Sequence, residues 1–150
     1  MKIKYCYGDI LNTDIKYICH CVNSQGIMGS GIAKQIKAKY PKAYEVYKDR
    51  YNIKNKLPLG IIIGADCGSH TILNLVGQKN YGKNGRLYLD YIALRQGIKT
   101  INNNISESVA FPMIGCGLAG GNWQLVSEII EEESTKFQPV VYQFDDNIPF

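Results

Sequence analysis

Short runs with apolar and polar residues in alternation are interleaved along the chain with stretches of helical period, the signature of a layered α/β domain. The alternation predicts strands over 2–7, 16–22, 60–64, 71–75, 108–111 and 140–144, each rich in Ile, Val, Tyr and Phe and bounded by Gly, Asp, Asn or Pro. Asp66-Cys67-Gly68-Ser69 has hairpin-turn composition, so part of the sheet should be antiparallel. Ile32, Ile36 and Tyr40 recur every fourth position and predict a helix over 31–40, after which Pro41 opens another that runs to about Tyr51. Leu87, Tyr91, Leu94 and Ile98 form a third helical stripe, with Gly97 a mild cost inside it. Asn122 stands as N-cap before Val126, Ile129 and Ile130, while Glu131, Glu132 and Glu133 sit at the unfavourable end of that helix for its dipole.

A chain of 150 residues and 16.8 kDa is expected to form one domain over 1–150. With 45% hydrophobic and 20% charged residues, disorder and coiled coil are excluded as classes. No apolar run reaches the ~18–20 residues a bilayer span needs, and the opening MKIKYCYGDI builds no signal-peptide core, so a cytoplasmic protein with no membrane partner is expected. The five cysteines are odd in number and lack CxxC spacing, which reads as reduced thiols. Cys19-His20-Cys21 has no second ligand pair beyond the isolated His70, so no metal and no cofactor is expected. Of the 17 Lys and Arg residues, 11 precede residue 57, where helix periodicity places them on solvated faces; a dedicated nucleic-acid surface is disfavoured, because no stacking aromatics are clustered with that charge.

Two loops break the regular pattern with one grammar: an apolar strand, clustered glycines, then a helix start. The first runs from Asn23 through Gly26, Met28, Gly29, Ser30 and Gly31 to Ile32; the second from Pro112 through Ile114, Gly115, Cys116, Gly117, Leu118 and Ala119 to Asn122. Helix N-termini present unpaired N–H groups, and glycines let backbone approach an oxyanion, so a pair of such loops would clamp a diphosphate. Gly26, Gly29 and Gly31 give G-x-x-G-x-G, which matches neither the dinucleotide fingerprint nor a Walker motif.

Gly8-Asp9-Ile10 after the first strand, His20-Cys21-Val22-Asn23 leading into Met28-Gly29-Ser30-Gly31-Ile32-Ala33, and Phe111-Pro112-x-Ile114-Gly115-Cys116-Gly117-Leu118 ahead of Trp123 together resemble the macrodomains. The likeness is strongest to the branch holding terminal ADP-ribose glycohydrolase and the fungal ADP-ribose 1''-phosphate phosphatase, and it covers nearly the whole chain. The resemblance implies a three-layer α/β/α fold with a central mixed sheet of about six strands. It also implies a small-molecule ligand, ADP-ribose or ADP-ribose 1''-phosphate, free or carried on an ADP-ribosylated macromolecule, bound by a monomer. Gly8, Asp9, Ile10 and Phe144 would then take the adenine; Met28, Gly29, Ser30, Gly31 and Ile32 one side of the diphosphate; and Ile114, Gly115, Cys116, Gly117, Leu118 and Ala119 the other.

By the same resemblance, the branch's catalytic lysine and aspartate fall at Gln78 and Ala119, which disfavours a lysine-type glycohydrolase because neither residue can replace the lost group. His20 matches the phosphatase histidine, and an imidazole beside a terminal phosphate can exchange the needed proton. The expected catalytic set is therefore His20, with Asn23 and Gln78 positioning the distal ribose or water, and the expected activity is ADP-ribose binding with dephosphorylation of ADP-ribose 1''-phosphate. A non-catalytic reader and a hydrolase of ADP-ribosyl or O-acetyl-ADP-ribose esters stand as alternatives. The stretch 78–85 is polar and glycine-punctuated and predicts a lip over the distal ribose, where Lys79, Lys83 and Arg86 are solvated loop cations or grips for an extra phosphate.

Overall fold

The computed structural model describes residues 1–143. Strands β1 (Lys4–Tyr7), β2 (Tyr17–Asn23), β3 (Ile62–Asp66), β4 (Thr71–Gln78), β5 (Ser108–Phe111) and β6 (Gln138–Gln143) form one sheet in the order β1-β6-β5-β2-β4-β3. All neighbours pair in parallel except β3 with β4, whose antiparallel register from Asp66↔Thr71 to Ile62↔Leu75 is closed by the predicted hairpin turn. Within that turn Cys67 N–H donates to the His70 carbonyl at 2.8 Å. Strand β4 runs three residues past its predicted end, to Gln78, and β6 starts two residues early, at Gln138; Phe144 lies outside the described residues.

Helices α1 (Gly31–Lys39) and α2 (Pro41–Lys54) cover one face of the sheet, and α3 (Tyr91–Asn104) and α4 (Trp123–Glu133) the other. The two-residue period of β2 divides its side chains accordingly. Ile18 and Val22 pack under α1 and α2, while Cys19 faces Leu94, Ile98, Val126 and Ile130 on the opposite side. No described helix is long and apolar enough to cross a membrane.

The third helix corrects the sequence expectation. Asp90 caps it, its carboxylate accepting from Ala93 N–H at 3.0 Å, so α3 begins at Tyr91 and Leu87 stays in the preceding loop, 57% exposed. A capping carboxylate ends the helical stripe where periodicity alone would carry it on. Gly97 also has a packing reason: a Cβ there would press inside van der Waals contact of the buried Leu75 side chain. We expect Gly97→Ala to destabilise the fold by about 1–3 kcal/mol in urea unfolding, the overpacking cost outweighing the ~1 kcal/mol gain in helix propensity.

Candidate functional site

Five strands point their C-terminal ends to one edge of the sheet. At the β2/β5 boundary the chain leaves in opposite directions, from β2 to α1 on one face and from β5 to α4 on the other. A crevice must open at such a switch point. Here it is a cavity of about 970 Å³ with both glycine loops as its walls and the segment after β4 as its rim.

The first wall is built on Asn23. Its Oδ1 accepts from Gln25 N–H at 2.9 Å and lies 2.9 Å from the Tyr47 hydroxyl, while its Nδ2 donates to the Ile27 carbonyl at 2.8 Å. The Tyr47 hydroxyl also accepts from Ile27 N–H at 3.1 Å, so the loop is pinned to α2. Gly26 sits at φ +76° against the Tyr51 ring, where a side chain would meet both steric objections. Beyond it Ser30 holds the N-cap position of α1 without making a side-chain cap bond, and the first turn of α1 holds no acidic residue. The first N–H groups of α1 therefore open on the cleft.

The second wall folds on itself through Ile114 N–H to Pro112 O at 2.6 Å, Cys116 N–H to Met113 O at 3.2 Å, Gly120 N–H to Gly117 O at 3.1 Å and Gly121 N–H to Gly115 O at 2.8 Å. Among the described residues nothing accepts from the N–H groups of Gly115, Gly117 or Leu118. Gly115, at φ +73°, lies so close to Leu89 that a Cβ would collide with it. At Gly117 a Cβ would meet nothing within 4 Å, so that position faces open space. Unlike α1, α4 is capped: Asn122 Oδ1 accepts from Leu125 N–H at 3.3 Å.

Of the expected site residues, the cleft brings together Asn23, Gly29, Ser30, Gly31, Ile32, Gln78, Ile114, Gly115, Cys116, Gly117, Leu118 and Ala119. Gln78 holds the rim, donating from Nε2 to the Asn80 carbonyl at 2.8 Å and accepting from the Cys21 thiol at 3.6 Å. Gly8, Asp9, Ile10 and Met28 are not among its walls. Asp9 turns its carboxylate to Leu11 N–H at 2.9 Å as the cap of a short 3-10 turn at the end of β1, and the side chains of Ile10 and Met28 are core.

His20 also requires correction. Strand parity turns it to the α2 side, away from the cleft, and it is fully buried. Asn74, its register partner on β4, donates to the carbonyls of Ala43 at 3.1 Å and Ile63 at 3.0 Å, which leaves its Oδ1 to accept from His20 Nε2 at 2.6 Å. That fixes the Nε2–H tautomer and leaves Nδ1 without a partner among the described residues. Burial pulls the imidazole down to about 4, against the Asn74 hydrogen bond. A buried, neutral ring facing away from the cleft has no proton to give a ligand there.

Sequence reasoning missed Cys21, Trp123 and Gln124 as cleft residues, while Tyr81 and Lys83 belong to the stretch 78–85 expected as a lip. Lys83 is the one charged side chain among the described cleft walls, which include no carboxylate and no imidazole. Burial pushes the Cys21 thiol up to about 12, with Cys116 adding to the rise, and Cys116 itself up to about 11. Both therefore stay protonated and are poor nucleophiles near neutral pH. A signal for the His20 partner was present, an asparagine inside the apolar run Thr71-Ile72-Leu73-Asn74-Leu75-Val76.

The Macro domain family profile matches residues 12–130, and the chain belongs to that family. The DNA ADP-ribosyl glycohydrolase of Mycobacterium tuberculosis is 30% identical over 131 residues, 84% of this chain and 37% of that protein. The solved macrodomain of Mycobacterium tuberculosis DarG has a TM-score of 0.79 at 28% identity, covering 93% of this chain and 96% of that one. More distantly, the ADP-ribose 1''-phosphate phosphatase of Candida glabrata is 23% identical over 176 residues, 95% of this chain and 98% of that protein. The chain spans 37% of the length of the curated relatives it matches first.

The burial of His20 yields a pH prediction. Its folded value lies below the ordinary one near 6.5, so between about pH 6.5 and 4 the unfolded chain binds a proton that the folded chain refuses. Stability contributed by neutral His20 is complete above that window and is lost as pH falls through it, on the order of 3 kcal/mol. Urea unfolding at pH 7 and pH 4 should show His20→Gln less stable than wild type at pH 7, with the gap narrowing or reversing at pH 4. A gap independent of pH would refute the burial argument.

Proposed function

We propose that the protein binds ADP-ribose and its derivatives in the cleft, with the diphosphate between the open N-terminus of α1 and the backbone N–H groups of Gly115, Gly117 and Leu118. The observation that carries this reading is the pairing of an uncapped helix start with a glycine wall across a cavity free of carboxylates among its described lining. Membership of the Macro domain family supports it, as do relatives whose names specify ADP-ribosyl or ADP-ribose chemistry. Backbone donors suit a diphosphate because they are fixed in direction and need no counter-charge to be held in place. Asn23 keeps the first wall in position while Gln78 braces the rim beside it.

A second reading, hydrolysis at the distal ribose or its 1''-phosphate, is favoured by Lys83. As the charged side chain of the described lining it is the group available to stabilise a departing oxyanion, a role the buried His20 does not fill. Asn23 and Gln78 would then position the ribose and water. Both readings place the ligand identically; they differ in whether the bound ligand is cleaved or released intact.

Calorimetric titration with ADP-ribose tests the first reading. Wild type should bind, and Gly117→Val, whose side chain projects into open space, should weaken binding at least about tenfold, the ~1.4 kcal/mol equivalent, with little change in melting temperature. Equal affinity in the variant would overturn the placement of the diphosphate. Phosphorus NMR of ADP-ribose 1''-phosphate tests the second: release of inorganic phosphate should be lost in Lys83→Gln and retained in His20→Gln. Binding without phosphate release in wild type would leave an ADP-ribose reader.

A further inference from the structure

The sheet has an outer strand on each side, β1 and β3, and the two are guarded differently. An outer strand presents unpaired N–H and C=O groups, which natural proteins shield from other chains with lysine, proline or a bulge. Beside and on β1 the exposed Lys2 and Lys4 supply such charge. Along β3 the run Gly60-Ile61-Ile62-Ile63-Gly64-Ala65 holds neither charge nor proline, and Asp66 stands only at its end.

The bonds at the ends of the β3/β4 ladder show which backbone groups are left over. Cys67 N–H donates to the His70 carbonyl at 2.8 Å at one end, and Val76 N–H to the Ile61 carbonyl at 2.9 Å at the other. Bonded and non-bonded pairs alternate along an antiparallel ladder, so Ile61, Ile63, Ala65 and Cys67 turn their backbone to β4 while Ile62, Gly64 and Asp66 turn theirs outward. Among the described residues nothing bonds to the outward N–H and C=O groups of Ile62 and Gly64. By strand parity these two residues also share the face toward α3. On that face an uncharged cavity of about 170 Å³ lies between Ile62, Leu73, Thr100, Ile101, Asn104 and Ile105. Leu73 is the register partner of Gly64, so no side chain at position 64 stands between this cavity and the edge of the sheet.

We infer that β3 is an interface for a second copy of this chain, the two strands pairing antiparallel about a two-fold axis at Ile63. In that register Ile62 and Gly64 exchange both backbone bonds with Gly64 and Ile62 of the partner subunit, using the groups that β4 leaves free. Each Ile62 then lies against the position where the partner subunit's Gly64 has no side chain, and covers the mouth of the cavity beside it; the patch is self-complementary, as a two-fold interface must be. Asp66 falls opposite Gly60 of the partner subunit, so no like charges meet. A register centred on Gly64 fits less well, because it sets glycine against glycine, leaves both cavities open and places the Asp66 carboxylate beside an isoleucine. The resemblance drawn from the sequence implied a monomer; the unguarded edge argues for a dimer that the lysines beside β1 keep from growing further. Stable interfaces bury about 800 Å² per partner, more than one short strand supplies, so the dimer should be weak and concentration-dependent.

The test is sedimentation velocity of the whole chain from about 5 to about 500 µM, paired with amide hydrogen exchange at both ends of that range. Wild type should shift from monomer to dimer with concentration, and the Ile62 and Gly64 amides should exchange more slowly at the high end while those of Ile63 and Ala65, already bonded to β4, do not change. Gly64→Glu places a charge on the edge where a Cβ meets only Leu73 at 3.9 Å, so it should fold normally and weaken dimerisation at least about tenfold. Gly64→Pro removes the outward N–H at a position where an outer strand tolerates proline, and should weaken it similarly. Lys4→Gln, on the opposite edge, should leave the dimer as it is. No residue of β3 lines the large cleft, so Gly64→Glu should also keep wild-type affinity for ADP-ribose, and the interface stands or falls independently of what the cleft binds. A monomer at every concentration, a dimer indifferent to Gly64→Glu, concentration-independent exchange at Ile62 and Gly64, or growth beyond a dimer would overturn the pairing.

Discussion

The organisation of this protein depends on the divergence of the chain at the end of the sheet between β2 and β5. Parallel strands must be linked by crossovers, and where one crossover goes to the α1/α2 face and its neighbour to the α3/α4 face, no element fills the gap between the strand ends. The character of the cleft comes from that gap. The chain turning out of β2 and β5 exposes N–H groups that neither the sheet nor the helices can use. The walls must also pass close to neighbouring side chains, as Gly26 does against Tyr51 and Gly115 against Leu89.

How the walls are held divides the work between side chains and backbone. Asn23 spends its carbonyl oxygen on Gln25 and Tyr47 and one amide hydrogen on Ile27, so it shapes the first loop more than it displays a reactive group. The second wall needs no such post, because four backbone bonds between residues 112 and 121 close it. Main-chain N–H groups are left facing the opening on both sides. Affinity for an anion then resides in the fold, and substitutions that preserve the loop backbone preserve it too.

The strands and both glycine loops were legible in the sequence because their signals are local: β-branched residues in alternation, Asp-Cys-Gly-Ser at the hairpin, glycines before a helix start. What was not legible depended on topology. Alternation along 17–23 says that His20 and Cys21 face opposite sides of a sheet, but which side opens on the cleft is decided by where β2 lies in the strand order and which helices cover each face. Matching His20 to a catalytic histidine by its distance from the glycine loop could not register that parity. Leu87 failed for a related reason: it is in phase with α3, but Asp90 starts the helix after it. The rim over 78–85, Lys83 included, was legible as a lip from its polar, glycine-punctuated sequence, but the bonds that fold it back over the β2 loop through Gln25 and Gln78, between residues 54 and 55 apart, are encoded by no local pattern.

The same geometry constrains what chemistry can occur in the cleft. Both thiols in it are kept protonated by burial, the described walls hold no carboxylate, and the imidazole that the sequence places nearest the first glycine loop serves the opposite face of the sheet. On the proposed reading, a buried carboxylate in these walls would repel the diphosphate, whereas an open helix start would attract it. Charge is placed instead at the rim, where Lys83 is exposed and the cost of burying it is avoided. The interior supplies fixed dipoles and the rim supplies an exposed cation. On the proposed reading, binding and any reaction at the distal end therefore draw on separate parts of the molecule, fixed backbone donors for the one and an exposed side chain for the other.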